Sequence, residues 1–268
     1  MELLAAIRWN PKPFGVYHFL WIILTAAVCV LLCKLFASKH DDDTDERVIF
    51  SIGLILAFGE IFKQIYLTVQ TGYYNWGEFP YQFCSTSMFV AFLIPFVKNK
   101  KIKEGMYVFL GFFGLLAGVS AMIETSGIFN KAYLPIMIHS TLWHSSMVIL
   151  GVYAIVARGY GRKFRELIKG VLVYIASVVL AIVLNEIFYY TIFSKGESPR
   201  GNHCNLFFIS SHYNSSLVVF KDIQPRVPYP IYILIYILAF CIGASAIWGI
   251  VKLIRLIIEG AKKKKASS

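Results

Sequence analysis

Charge is what this chain has least of. Asp, Glu, Lys and Arg make up 15% of its 268 residues, against 57% apolar residues, and the mean hydropathy is +0.64. A soluble domain carries about a quarter charged residues, so an ordinary soluble fold is excluded. The charges present are unbalanced, 26 basic against 15 acidic, a surplus that in a soluble protein would suggest nucleic acid. No basic patch is present to bind it, because the Lys and Arg fall in short segments between apolar runs, where they set orientation in a bilayer. Nucleic acid is therefore not an expected partner. Cysteine is sparse as well, and Cys29, Cys33, Cys84, Cys204 and Cys241 show neither a disulfide framework nor metal-ligand spacing. No metal or other cofactor is implied. No small-residue cleavage site follows the first apolar run, which reads as an anchor and not a signal peptide. Repeats, linkers and biased segments are missing, apart from "DDDTDE" at 41–46, read as a solvated loop, and "KKKK" at 262–265. A single membrane domain over residues 1–268 is the economical organisation.

What is there instead is a series of apolar stretches, at about 15–37, 48–71, 79–98, 105–124, 135–157, 168–193 and 229–257. Each is long enough to cross a hydrocarbon core of about 30 Å. The sequence thus predicts an all-α polytopic membrane helix bundle of about seven transmembrane helices. One set of connections holds Lys34, Lys39, Arg47, Lys98, Lys100, Lys101, Lys103, Arg158, Arg162, Lys163, Arg165, Lys169, Lys252, Arg255 and the Lys262 to Lys265 tail. The other holds only Arg8, Lys12, Lys131, Lys195, Arg200, Lys221 and Arg226. Cytoplasmic loops retain Lys and Arg, so the amino terminus is expected outside and the carboxyl terminus in the cytoplasm of a multi-pass cell-membrane protein.

With that orientation each polar residue inside a span acquires a depth. Glu60, Lys63 and Gln64, then Gln82 and Cys84, then Glu124, His139 and His144, and finally Asn185 and Glu186 all fall in the outer halves of five spans. Ionisable groups in a bilayer are expensive and mark functional sites or buried pairs. The stretch "FPYQFCSTSMFV" at 79–90 is the densest case, with Gln82, Cys84, Ser85, Thr86 and Ser87 at the head of an apolar run. Glu60, Lys63 and Gln64 equally suit a packing network of ion pairs and hydrogen bonds. His139 and His144 are about 140° apart on a helix. One of them is expected to face the site, and the spacing does not suit a metal pair. The outer loop at 194–228, with His203, Cys204, Asn205, His212 and Asn214 around an apolar "LFFI", suits either a lid or re-entrant element or an interfacial loop.

The segments "FPYQFCSTSMF", "IHSTLWHSSMVILGVYAI", "LNEIFYY" and "NLFFIS" resemble the YwaF-like bacterial integral membrane proteins, grouped with eukaryotic transmembrane protein 164. The likeness spans about residues 48–240. It places His144 on the second histidine of a His-His-Gly pattern, with Trp143 and Ser145 departing from it. The resemblance implies acyl transfer between phospholipids through a cysteine. The position of that cysteine relative to the preceding proline corresponds to Tyr81 here, three residues before Cys84.

Acyl transfer through a covalent intermediate needs a nucleophile, a base and oxyanion donors. Cys84 is the expected nucleophile with Thr86 in reserve, and His144 the expected base. Gln82, Ser85 or Asn205 would orient groups or stabilise the oxyanion. Glu60, Glu124 and Glu186 are candidates to orient a histidine ring, and His139 is a supporting group. Substrates would be membrane lipids or an acylated lipoprotein. Two other readings use the same residues: an ion-coupled solute transporter with Glu60, Lys63, Glu124, His144 and Glu186 along a polar pathway, or a membrane protein whose polar layer only packs. A carrier should carry polar residues toward the cytoplasm as well, whereas "MFVAFLIPFV" and "MVILGVYAIV" are almost wholly apolar.

Overall fold

The computed structural model describes residues 11–37, 41–129, 133–196 and 202–266. Arg8, Lys39, Lys131 and Arg200 of the charge bias lie outside them. Among the described residues all regular structure is helical. Six helices are long and apolar enough to span a membrane: α1 (Val16–Leu35), α2 (Asp42–Thr71), α4 (Lys100–Ile123), α5 (Leu134–Arg158), α6 (Leu167–Thr191) and α7 (Tyr229–Ala266). The protein is an integral membrane protein with several spans, and its apolar outer faces meet lipid.

The third expected span is different. Helix α3 runs only Phe83–Leu93, extended by a 3-10 turn at Ile94–Phe96, and is too short to span alone. The expected stretch was 79–98. Pro80 shortens its start, because a proline pushes the residue before it out of helical space, and Phe79 is extended with ψ 135°. Tyr81 and Gln82 follow before the first helical residue.

The acidic run at 41–46 is also not the solvated loop expected of it. Asp41 caps α2 by accepting from the amides of Asp43 and Thr44, and Asp42, Asp43 and Asp45 occupy the first turn, where carboxylates complement the helix dipole. Asp45 is buried and accepts from the Tyr153 hydroxyl at 2.9 Å.

Helices α4 and α5 form the buried centre, with α1, α2, α6 and α7 turning most of their surface outward. Midway along α4 the helix widens into a π turn at Phe109–Gly114, whose Phe109, Leu110, Phe112 and Phe113 are wholly buried. Met147, Leu150, Tyr153 and Ala154 of α5 and Tyr174 and Val178 of α6 join the same core. This core is mostly apolar, with Asp45, Tyr153 and Arg158 forming a polar cluster at its edge. Helix α1 is fixed to α5 by Trp21, whose Nε1 donates to Ser145 Oγ at 2.6 Å.

Candidate active site

Toward the other end of the bundle, α2, α3, α4, α5 and α7 enclose a cavity of about 610 Å³. Small-molecule sites occupy about 300–1,000 Å³. Its lining divides into a polar side and an aromatic side, with Cys84 between them.

The polar side begins on α2. Lys63 Nζ lies 2.9 Å from Glu60 Oε1 and 3.5 Å from Glu78 Oε2, and it donates to the Glu78 carbonyl at 3.3 Å. Gln64 Nε2 bridges Glu60 Oε1 at 2.7 Å and the same carbonyl at 2.6 Å. The expected Glu60, Lys63 and Gln64 network is thus present, and the Trp76–Glu78 turn before α3 closes it. Two carboxylates around one ammonium leave an excess of negative charge there. Glu124 is on the lining too, and its carboxylate accepts from the Ser126 amide at 3.2 Å, capping the turn after α4.

Helix α5 contributes Ile136, His139, Ser140, Trp143 and His144. That spacing of 3, 4, 7 and 8 is one helical stripe, with the two histidines at its opposite edges. Both therefore line the cavity, where one was expected to turn away. The His144 Nδ1 atom is 2.8 Å from the Ser140 carbonyl. A carbonyl can only accept, so Nδ1 carries the proton and Nε2 the lone pair. The His139 ring lies against Gly59 of α2, where an added Cβ would sit 3.4 Å from its Nε2.

Cys84 is the second residue of α3 and lines the cavity, partly exposed, beside Ser85. It lies near enough to Lys63 on one side and Tyr236 on the other to interact electrostatically with both. The first turn of α3 has no side-chain cap, and its amino-terminal end, the positive end of the helix dipole, lies at Cys84. Thr86, the reserve nucleophile, is buried, and its hydroxyl donates to the Gln82 carbonyl at 3.3 Å. Tyr81, where the resemblance puts a cysteine, is buried and donates to the Ser177 carbonyl at 3.3 Å.

The loop between α6 and α7 enters the bundle. Cys204, Leu206, Phe207, Ile209 and Ser210 are buried, and Phe208 lines the cavity. Backbone buried this way must find partners, and side chains from three helices supply them. Gln82 accepts from the Phe207 amide at 2.8 Å and donates to the Asn205 carbonyl at 3.1 Å. Asn185 of α6 accepts from the Leu206 amide at 2.8 Å and donates to its carbonyl at 3.1 Å. From α7, Tyr232 donates to the Phe208 carbonyl and Tyr229 to the Ile209 carbonyl, both at 2.9 Å. Phe207 and Phe208 both hold positive φ, 56° and 58°, a strained pair that such surroundings maintain.

The expected roles of several residues change accordingly. Gln82 and Asn205 hold this turn: Asn205 Oδ1 accepts from the Ser210 amide at 2.9 Å, and its Nδ2 donates to the Asn214 carbonyl at 3.1 Å. Glu186 does orient a histidine, but one in the loop: its Oε2 is 2.9 Å from His212 Nε2, and its Oε1 accepts from Ser211. Tyr229, Tyr232 and Tyr236 were not picked out, although "YPIYILIY" spaces them three and four apart on one helix face. Among the described residues no cluster of three or more metal-ligating side chains occurs.

Residues 13–248 match the TMEM164 family. Comparison with curated proteins and with solved structures gave no match.

Proposed function

The chain belongs to the TMEM164 family, and from that premise we propose that it is a membrane-embedded lipid acyltransferase working through Cys84 and His144. The observation that carries this reading is that a cysteine and a histidine whose Nδ1 is anchored to the Ser140 carbonyl line one cavity, together with polar and aromatic side chains. An ester substrate needs that order: head group toward Glu60, Lys63 and Glu78, carbonyl at Cys84, acyl chain among Phe83, Phe220, Tyr236 and Phe240.

In the first half-reaction His144 Nε2 takes the thiol proton, Cys84 Sγ bonds to the ester carbon, and the C–O bond breaks. The leaving alcohol takes the proton back from His144, and a thioester remains on Cys84. A second lipid alcohol then attacks, His144 accepts its proton, the C–S bond breaks and the thiol is restored. Water in place of the alcohol gives hydrolysis. From the distribution of Lys and Arg we also propose that the cavity opens toward the outer leaflet of the cell membrane.

The apolar packing of Phe109, Phe113, Leu150 and Tyr174 supports a one-sided pocket over a carrier.

The test uses the purified protein in vesicles holding a phospholipid with isotope-labelled acyl chains and a lysophospholipid acceptor, with an acylated lipopeptide as a second donor. Wild type should move labelled chains to the acceptor and accumulate a hydroxylamine-labile acyl mass on the Cys84 peptide. Cys84→Ala should abolish both, and His144→Ala should slow transfer by about 10²–10⁴-fold. Wild-type protein that neither transfers nor hydrolyses acyl chains from either donor would sink the reading.

A further inference from the structure

One polar group on the cavity wall has no stated task. Tyr236 of α7 is wholly buried and lines the cavity, and its hydroxyl has no hydrogen-bond partner in the protein. Buried hydroxyls are normally paired, and one that is not calls for an explanation. Its neighbours on the same face show the ordinary outcome: Tyr229 and Tyr232 donate to the carbonyls of Ile209 and Phe208. Those bonds lock α7 to the buried turn and set the register of Tyr236 one helical turn further on. Other buried tyrosines, Tyr66, Tyr107 and Tyr174, also have unpaired hydroxyls, but they are not on the cavity wall. Tyr236 is on it, near Cys84, with its ring held against Phe240 at 4.7 Å and Phe220 at 5.1 Å between centroids.

The group is suited to one job in the reaction proposed above. Attack on an ester puts negative charge on the carbonyl oxygen, and that oxygen needs donors fixed before the reaction begins. Of the side chains first considered for this, Gln82 and Asn205 have both ends of their amides engaged by the turn, and Ser85 stays on the lining beside Cys84 as a further donor. The Tyr236 hydroxyl is uncommitted, and its ring, on the cavity lining, is clamped by aromatic contacts.

We propose that Tyr236 is a catalytic residue whose hydroxyl donates a hydrogen bond to the carbonyl oxygen of the lipid ester and to the oxyanion formed when Cys84 attacks. The Sγ–C bond forms, the thiol proton passes to His144, and the carbonyl π electrons move onto oxygen under the Tyr236 O–H. Collapse restores the C=O bond and expels the alcohol, which takes its proton from His144. Tyr236 keeps its own proton throughout. The inference rests on the Cys84 and His144 reading.

Tyr236→Phe removes the hydroxyl and keeps the ring. In vesicles it should lower kcat for acyl transfer by about 10²–10³-fold with KM within about twofold. A lipid trifluoromethyl ketone, which a cysteine converts to a stable tetrahedral adduct, should bind the variant more weakly by a similar factor. A non-reactive ether analogue of the substrate should bind both proteins alike, and Tyr236→Phe should unfold no earlier than wild type. If kcat stays within threefold, or falls while ketone affinity is unchanged, the assignment of Tyr236 is overturned and the Cys84 and His144 reading survives. Wild-type protein without any turnover overturns that underlying reading, and Tyr236 with it.

Discussion

Asn185 and Leu206 exchange two hydrogen bonds across the bundle: the Leu206 amide donates to Asn185 Oδ1 at 2.8 Å, and Asn185 Nδ2 donates back to the Leu206 carbonyl at 3.1 Å. One amide side chain thus replaces the pairing that a strand or helix would give a buried residue. Asn185→Leu leaves both backbone groups buried without partners, each costing about 1–3 kcal/mol. Unfolding of the purified protein in detergent should show a loss in that range or its double, and Asn185→Asp, which can accept but not donate, should lose less. A loss below about 0.5 kcal/mol would mean that the turn is not held this way.

Lys63 is the shared cation of Glu60 and Glu78, and its side chain is 12% exposed against 6% for Glu60. Lys63→Met leaves two carboxylates without their cation, and breaking a buried pair from one side costs about 3–5 kcal/mol. The double substitution Glu60→Gln with Lys63→Met should recover part of the loss. A double variant as unstable as Lys63→Met alone would deny the coupling between the two.

Gly151 allows α4 and α5 to approach. A Cβ there would meet Leu115 Cβ at 2.7 Å and the Leu110 carbonyl at 2.9 Å, both part of the central helix. Gly151→Ala should therefore destabilise by about 1–3 kcal/mol, read in the same unfolding assay. The variant should leave the reactivity of Cys84 unchanged if only packing is disturbed.

Thiol labelling separates Cys84 from Cys204. Cys204 is 2% exposed, and burial pushes its thiol from the ordinary 9.0 up to about 12. A small neutral maleimide at pH 8 should modify Cys84, on the cavity wall, and spare Cys204 until the protein unfolds. The sign of the linkage follows from the raised value. The unfolded chain gives up the Cys204 proton first, so the stability from the buried thiol is complete below pH 9 and declines as the pH rises toward 12. Mass spectrometry of the two peptides reads the labelling, and early modification of Cys204 would contradict the packing of the turn.

The spans were legible because apolar runs of about twenty residues have few alternatives to crossing a bilayer. The third run, taken as one span over 79–98, was misjudged: Pro80 delays the helix to Phe83, and the structure shows the shortened element. Position along each helix was legible, and azimuth was not. Gln82, Asn185 and Glu186 were grouped with Cys84, yet they serve the backbone of residues 205–207 or the His212 ring. Nothing local announces that Phe207 and Phe208 will be buried at positive φ, since that conformation depends on partners from α3, α6 and α7. His139 and His144 were separable by angle, but a cavity spanning a whole stripe of α5 accommodates both.

Helix α3 has one further consequence. At 11 residues plus a three-residue turn, it covers about 20 Å of a hydrocarbon layer about 30 Å thick. Under the proposed function, Cys84 at its head receives its ester substrate from the lipid phase. Such a reaction is governed by the mole fraction of lipid in the leaflet, not by concentration in bulk water. Dilution with an inert lipid at constant total substrate should slow it, and added volume of buffer should not.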